Sequence, residues 1–214
     1  VILRQRLLDL VAGRLPIGPA RLRVGVDGRD GAGKTRFADE LADTVRRLGR
    51  PVVRVSADDF HHVREVRYRR GRDSATGFWL DSYNYPRLIA DVLEPFGSGR
   101  YRPAAHDLLT DQVLDPPWLT APAGAVLILD GLFLHRDELL GHWDFTVYLA
   151  VSGRVAAERM AGRDGSPPEQ DHPGLRRYSE AQRTYLSSCA PQQRASIVID
   201  NDDLAAPTIR SEMS

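Results

Sequence analysis

Residues Gly28 to Thr35 read Gly-Arg-Asp-Gly-Ala-Gly-Lys-Thr and meet the pattern G-x-x-x-x-G-K-[ST] at every constrained position. The pattern has meaning only between a strand and a helix, and its flanks supply both. Leu22 to Asp27 is apolar enough for a buried strand, and Phe37 to Val45 repeats apolar residues at helical spacing. Glycines at 28, 31 and 33 lack a Cβ, so the backbone can turn and aim its amides at an anion, which also meets the positive end of the next helix. The expected polyphosphate-binding set is Gly28, Asp30, Gly31, Ala32, Gly33, Lys34, Thr35 and Arg36. Lys34 is expected on the terminal phosphates and the Thr35 hydroxyl on Mg²⁺.

Composition points the same way. The 29 Lys and Arg comprise 28 Arg and a single Lys, which stands at position 34. Wherever a generic cation serves, this chain uses Arg; among close backbone amides a compact point charge fits where a wide planar fork does not.

A length of 214 residues suits one α/β domain over 1–214 with a short lid-like segment at about 159–174. A formal net charge of +0 provides no overall field to hold a nucleic-acid backbone. The single cysteine, Cys189, excludes an intrachain disulfide framework, fits a reducing compartment and reads as a packed thiol. No run approaches the roughly 20 apolar residues of a membrane span, and the start has no signal-peptide pattern. The expectation is a cytoplasmic protein with a small-molecule substrate, no membrane or nucleic-acid partner, and room for self-association.

Along the chain, residues 2 to 15 suggest an amphipathic helix with Leu3, Leu7, Leu10 and Val11 on one face. Val52 to Ser56 reads as the next strand and delivers Asp58 and Asp59 to its carboxyl end, the edge where open parallel sheets bind ligands. Residues 61 to 85 read as irregular and arginine-rich, and a helix begins near Pro86. Ala125 to Gly131 is a buried strand that ends in Asp130, placed to associate with a metal. A further strand at Phe145 to Leu149, helices from about Gly153 and Leu175, and a last strand at Ile197 to Asp200 complete the sheet. Arg159 and Arg163, four apart, share a helix face. Trp79, Trp118 and Trp143 are expected to serve packing.

With these residues in view, the chain resembles the uridine kinase branch of P-loop kinases, related to phosphoribulokinase and the bacterial pantothenate kinases, over roughly 22–201. Ser56-Ala57-Asp58-Asp59-Phe60 resembles that family's Ser-x-Asp-x-Phe, whose Asp is the catalytic base. Ala105-His106-Asp107 resembles its Pro-Tyr-Asp-Phe stretch, Leu129-Asp130-Gly131 its Phe-Glu-Gly, and Arg159-Met160-Ala161-Gly162-Arg163-Asp164 its lid motif Arg-Arg-x-x-Arg-Asp. The resemblance implies a three-layer P-loop NTPase fold, a mainly parallel sheet with helices on both faces, and ATP and Mg²⁺ as co-substrate and cofactor. His106 in place of Tyr, Asn84 in place of an Asp, Met160 in the lid and the missing His-x-Arg depart from it, mostly on the acceptor side.

Phosphoryl transfer requires positioning, charge neutralisation and a proton acceptor. The expected catalytic set is Asp58 as base with Lys34, Arg159 and Arg163; Thr35, Asp58 and Asp130 would hold the metal. Phe60, His61, Tyr83, Asn84, His106 and Asp107 are candidates for the acceptor pocket, since they offer rings and hydrogen-bonding groups. The acceptor expected first is a nucleoside, with pantothenate-like and sugar hydroxyls behind it. A regulatory nucleotide-binding NTPase, or a kinase fold without an acceptor, is the competing class. A guanine-reading Asn-Lys-x-Asp is ruled out because Lys34 is the only lysine.

Overall fold

The apolar run at 126–129 and the mostly apolar one at 145–150 demand cover on both faces, and the fold supplies it with helices. The computed structural model describes residues 2–18, 20–169 and 172–213. Its main sheet is built from β1 (Leu22–Gly28), β2 (Val52–Ser56), β3 (Val126–Gly131), β4 (Phe145–Ala150), β5 (Ile197–Asp200) and β6 (Thr208–Glu212). The spatial order is β6-β5-β4-β1-β3-β2, parallel throughout except for the antiparallel edge β6. The principal helices are α1 (Ile2–Gly13), α2 (Lys34–Arg47), α3 (Ala75–Asp81), α4 (Gly153–Asp164) and α5 (Arg176–Cys189). This is the P-loop NTPase α/β fold.

Strand periodicity sorts the core into two layers. Val126 and Ile128 of β3 pack with Leu7, Val11, Phe37 and Leu41 under α1 and α2. Leu127 and Leu129 face the other way, onto Leu88, Val92, Phe133 and Tyr185. Burying each such side chain contributes roughly 1.5–3 kcal/mol. Register then fixes the site: Ser56 at the end of β2 stands beside Asp130, which stands beside Val26 of β1, so three carboxyl ends finish level.

The structure corrects several expectations. The buried face of α1 is Arg4, Leu7, Leu8, Val11 and Ala12, whereas Leu3 and Leu10 point to solvent. Residues 61–85 contain helices at Arg64–Arg67 and Ala75–Asp81. The helix near Pro86 runs as Tyr85–Leu88, a π turn at Ile89–Leu93 and Glu94–Phe96. β5 is followed by β6, which its exposed, polar sequence concealed. Trp118 lies at the surface under two guanidinium groups, with Arg100 and Arg102 Cζ 4.7 and 4.8 Å from its ring centroid. Gln170 and Asp171 of the expected lid lie outside the described residues. Cys189 is a buried free thiol whose pKa burial raises.

Candidate active site

The loop between β1 and α2 packs too closely for side chains at its turn. Gly31 has φ +75°, and a Cβ there would stand 2.4 Å from the Ala156 carbonyl oxygen on α4. Gly33, at φ 82°, is the N-cap of α2 and offers no capping side chain, so the first-turn amides of Lys34, Thr35 and Arg36 are left to an incoming anion. Other loop amides shape the turn itself: Gly28 N donates to Asp27 Oδ1 at 2.6 Å, Gly31 N to Asp30 Oδ1 at 2.9 Å and Ala32 N to Arg29 O at 3.1 Å. Lys34 Nζ donates to Arg29 O at 3.0 Å, inside the loop's mouth. The Arg36 side chain turns outward to Glu40, so only its amide can serve the site.

Asp130, expected to associate with a metal, also has partners within the protein. Thr35 Oγ1 donates to its Oδ2 at 2.7 Å and Arg54 Nη2 to its Oδ1 at 2.8 Å. A buried carboxylate so paired is stable where a lone one would be costly. Asp58 lies on the one-turn helix Ala57–Phe60 and accepts the Tyr83 hydroxyl at 3.0 Å. Burial first, and then the Asp58 charge, push the Tyr83 phenol well up, which keeps it a donor. His61 Nδ1 donates to Asp58 O at 2.8 Å, and its ring centroid is 4.3 Å from that of Tyr83. Burial lowers its pKa against the pull of Asp58, which favours the neutral imidazole. Asp59 is raised by burial, then by Asp58 and Asp130, as three neighbouring acids require.

Two of the three α4 arginines, Arg159 and Arg163, stand over the loop. Arg159 donates to the carbonyls of Asn201 and Asp202, each at 2.8 Å, and reaches toward Gly31 O at 3.5 Å; burial lowers its pKa. Arg163 bonds Asp164 at 2.7 Å and Asp30 at 3.1 Å, and its pKa is raised chiefly through Asp164.

One cavity of about 650 Å³ gathers Gly31, Gly33, Lys34, Thr35, Asp58, Asp130, Arg159 and Arg163 together with His61 and Tyr83. Four expected acceptor residues do not line it. Phe60 is wholly buried in the core, and Asn84 caps the following helix through Arg87 N at 3.1 Å. His106 is buried against Asp111 at 3.1 Å, and Asp107 holds its own turn by accepting from Leu109 N at 2.8 Å. In their place stand Arg67, Tyr68, Phe78, Leu108, Arg177 and Tyr178. Their sequence signal was weak: the first three fall in the stretch read as irregular, and a helix sequence does not announce which of its residues faces a distant cavity.

The oxygen donors Thr35 and Asp130 are hard ligands of the kind Mg²⁺ takes in small number, with phosphate oxygens and water completing its shell. Among the described residues no group of three or more His, Cys, Asp or Glu forms a cage of its own. No helix among them is long and apolar enough to cross a membrane.

Strand, glycine-rich loop, helix and the Thr35–Asp130 pair define the P-loop class. Within it, the chain shares its fold with a provisionally assigned uridine kinase from Bacillus stearothermophilus, at 24% identity and TM-score 0.72 over 91% of this chain and 96% of that one. It is also similar to a provisionally assigned fructose transport system kinase from Silicibacter sp. TM1040, at 20% identity and TM-score 0.64 over 90% and 94% of the two chains. The YGR205w protein matches over 99% of both chains, at 11% identity and TM-score 0.64. No family model matches the chain, and no curated protein sequence does.

Proposed function

We propose that this chain is an ATP-dependent small-molecule kinase that transfers the γ-phosphoryl group to a hydroxyl. The observation that carries the reading is the convergence of a phosphate loop and a carboxylate outside it, Asp58, on one cavity. The acceptor's hydroxyl oxygen would bond to the γ-phosphorus as the bond to the β,γ-bridging oxygen breaks, leaving ADP, and Asp58 would take the hydroxyl proton. Tyr83 positions that carboxylate by its hydrogen bond. Lys34, with the α2 first-turn amides, would neutralise the terminal phosphates, and Arg159 and Arg163 on the lid would close over them. Thr35 and Asp130 would hold Mg²⁺, with Asp58 in reach through water; the metal would draw negative charge from the phosphoryl oxygens.

The aromatic members Tyr68, Phe78, Tyr83 and Tyr178 support an acceptor with a flat or compact body, a nucleoside-like ring among them. The similar fold of a provisionally assigned uridine kinase is in keeping with this. The decisive experiment is ADP release with Mg-ATP across nucleosides, pantothenate, sugars and phosphosugars. Turnover of any member supports the kinase; ATP binding with silence across the panel favours a nucleotide-binding protein without an acceptor.

A further inference from the structure

Besides the loop and α4 cations, the cavity is lined by Arg67 and Arg177, for which a neutral alcohol has no use. Arg67, on the short helix Arg64–Arg67, has only 11% of its side chain exposed. Its contact to Asp111 Oδ1 is long, 3.4 Å, and that oxygen also serves His106 Nε2 at 3.1 Å and Arg64 N at 3.0 Å. Arg177, in the first turn of α5, gives Nη1 to the Arg72 carbonyl at 2.5 Å. Among the described residues, the Nε of each guanidinium is buried and has no hydrogen-bond partner. Both groups stand against Tyr68, their Cζ atoms 5.4 and 5.7 Å from its ring centroid, and both residues line the same cavity.

The acids of the cavity lie elsewhere. Asp30 faces Arg163, Asp130 is taken by Arg54 and Thr35, and Asp58 by Tyr83. Among the described residues no carboxylate bonds Arg177, and Arg67 has only the long contact to Asp111. Buried guanidinium N–H groups left unpaired are costly, and the fork they form matches the planar edge of a carboxylate or two oxygens of a phosphate. We propose that Arg67 and Arg177 receive an oxyanion on the acceptor, so that the substrate is a hydroxyl compound carrying a phosphate or carboxylate group. This rests on the kinase reading above and adds the charge class of its acceptor. The two arginines also answer an electrostatic problem, since an anionic acceptor must approach both Asp58 and a triphosphate.

The test uses the full chain and two measurements. In ADP release with Mg-ATP, each neutral acceptor is paired with its anionic counterpart: nucleoside with nucleoside monophosphate, sugar with sugar phosphate, polyol with hydroxy acid. The expected result is a kcat/KM at least about 100-fold higher for the anionic member of the productive pair, and the phosphate and carboxylate arms tell the two oxyanions apart. Arg177→Gln and Arg67→Gln should each raise the KM for that acceptor about tenfold or more while the KM for ATP moves less than about threefold. Neutral members turned over as well as charged ones would overturn the proposal and leave the kinase standing; an equal rise in the KM for ATP would move the arginines to the nucleotide and overturn it too. Independently of turnover, inorganic phosphate is titrated into the chain saturated with Mg and a non-hydrolysable ATP analogue. Saturable binding that either variant abolishes supports the subsite, and no binding refutes it. Failure of the analogue itself to bind would sink the kinase reading and the subsite with it.

Discussion

Asp130 and Asp58 stand at neighbouring strand ends in different circumstances. Asp130 is almost wholly buried and both its oxygens are engaged, by Thr35 and by Arg54. Asp58 has the Tyr83 hydroxyl on one oxygen and an exposed flank toward the cavity, the condition a proton acceptor needs. Asp58→Asn keeps the size of the side chain and removes its basicity. The expected outcome is a loss of about 10²–10⁴ in kcat with ATP affinity within about threefold, seen by single-turnover kinetics beside nucleotide titration. Equal losses in both would assign Asp58 to binding and not to proton transfer. Lys34 offers a second test, because no other side chain in the sequence is a lysine. An amine-directed reagent should modify its ε-amine, and saturating Mg-ATP should suppress that modification; labelling indifferent to nucleotide would contradict the phosphate assignment. Lys34, Thr35 and Asp130 were legible because a fixed spacing and a strand-end acid name them. Arg54 was not, because its bond to Asp130 exists only through the pairing of β2 with β3, which places Arg54 beside Ile128 and Ser56 beside Asp130.

Strands, helices and their joints explain why the loop is rigid where it begins. Asp27, in β1, is fully buried, and its Oδ1 accepts from Gly28 N. Its Oδ2 takes the Tyr185 hydroxyl from α5 and pairs with His135 Nδ1 at 2.7 Å, while His135 Nε2 meets Thr146 Oγ1 of β4 at 3.0 Å. Helix α5, strand β4 and the turn that carries His135 are thereby tied to the first residue of the phosphate loop. Tyr185→Phe removes one donor from a buried carboxylate and one partner from His135 N. It should lower unfolding free energy by about 1–3 kcal/mol, read by urea denaturation, and weaken Mg-ATP binding through a looser loop start. A variant unchanged in both would reduce the cluster to packing. None of this was visible in the sequence, since Asp27, His135 and Tyr185 are far apart and none stands in a motif. The longer elements were visible, because β1 to β5 and α2 carry apolar runs or periods long enough to count. Short helices such as Arg64–Arg67 offer a single turn and no period. In α1 the buried Arg4, bonded to Glu40 and Asn201, occupies a core-facing position that a hydrophobic pattern assigns to solvent.

Across the whole molecule the acid response should come in two limbs, since its downshifted groups divide by their ordinary pKa, 6.5 for two histidines and 3.8 for the aspartates. His61 and His62 are both lowered from 6.5, each chiefly by burial; Asp58 and Asp81 respectively oppose the shift, while Arg67, Arg69 and His106 add to it. As pH falls below 6.5, the unfolded chain takes up protons that the folded chain refuses, so this contribution is complete above 6.5 and is lost as pH falls through the folded values. The carboxylates act lower down. Asp107, held by the amides of Leu109 and Thr110, and Asp164, held by Ser166 and Arg163 at about 2, are depressed from 3.8. Their contribution is complete above 3.8 and is lost as pH falls through their folded values, a modest effect for groups so exposed. Urea midpoints measured from pH 8 to 3 should therefore hold level to about 6.5, decline through a first limb and decline again below about 4. The pair His61→Gln and His62→Gln should flatten the first limb and leave the second, because neither substitution touches Asp107 or Asp164. Midpoints that stay level from pH 7.5 to 5, or a first limb that survives both substitutions, would place the sensitivity in other groups. That outcome would also remove the reason for treating His61, beside Asp58, as a neutral wall of the cavity at working pH.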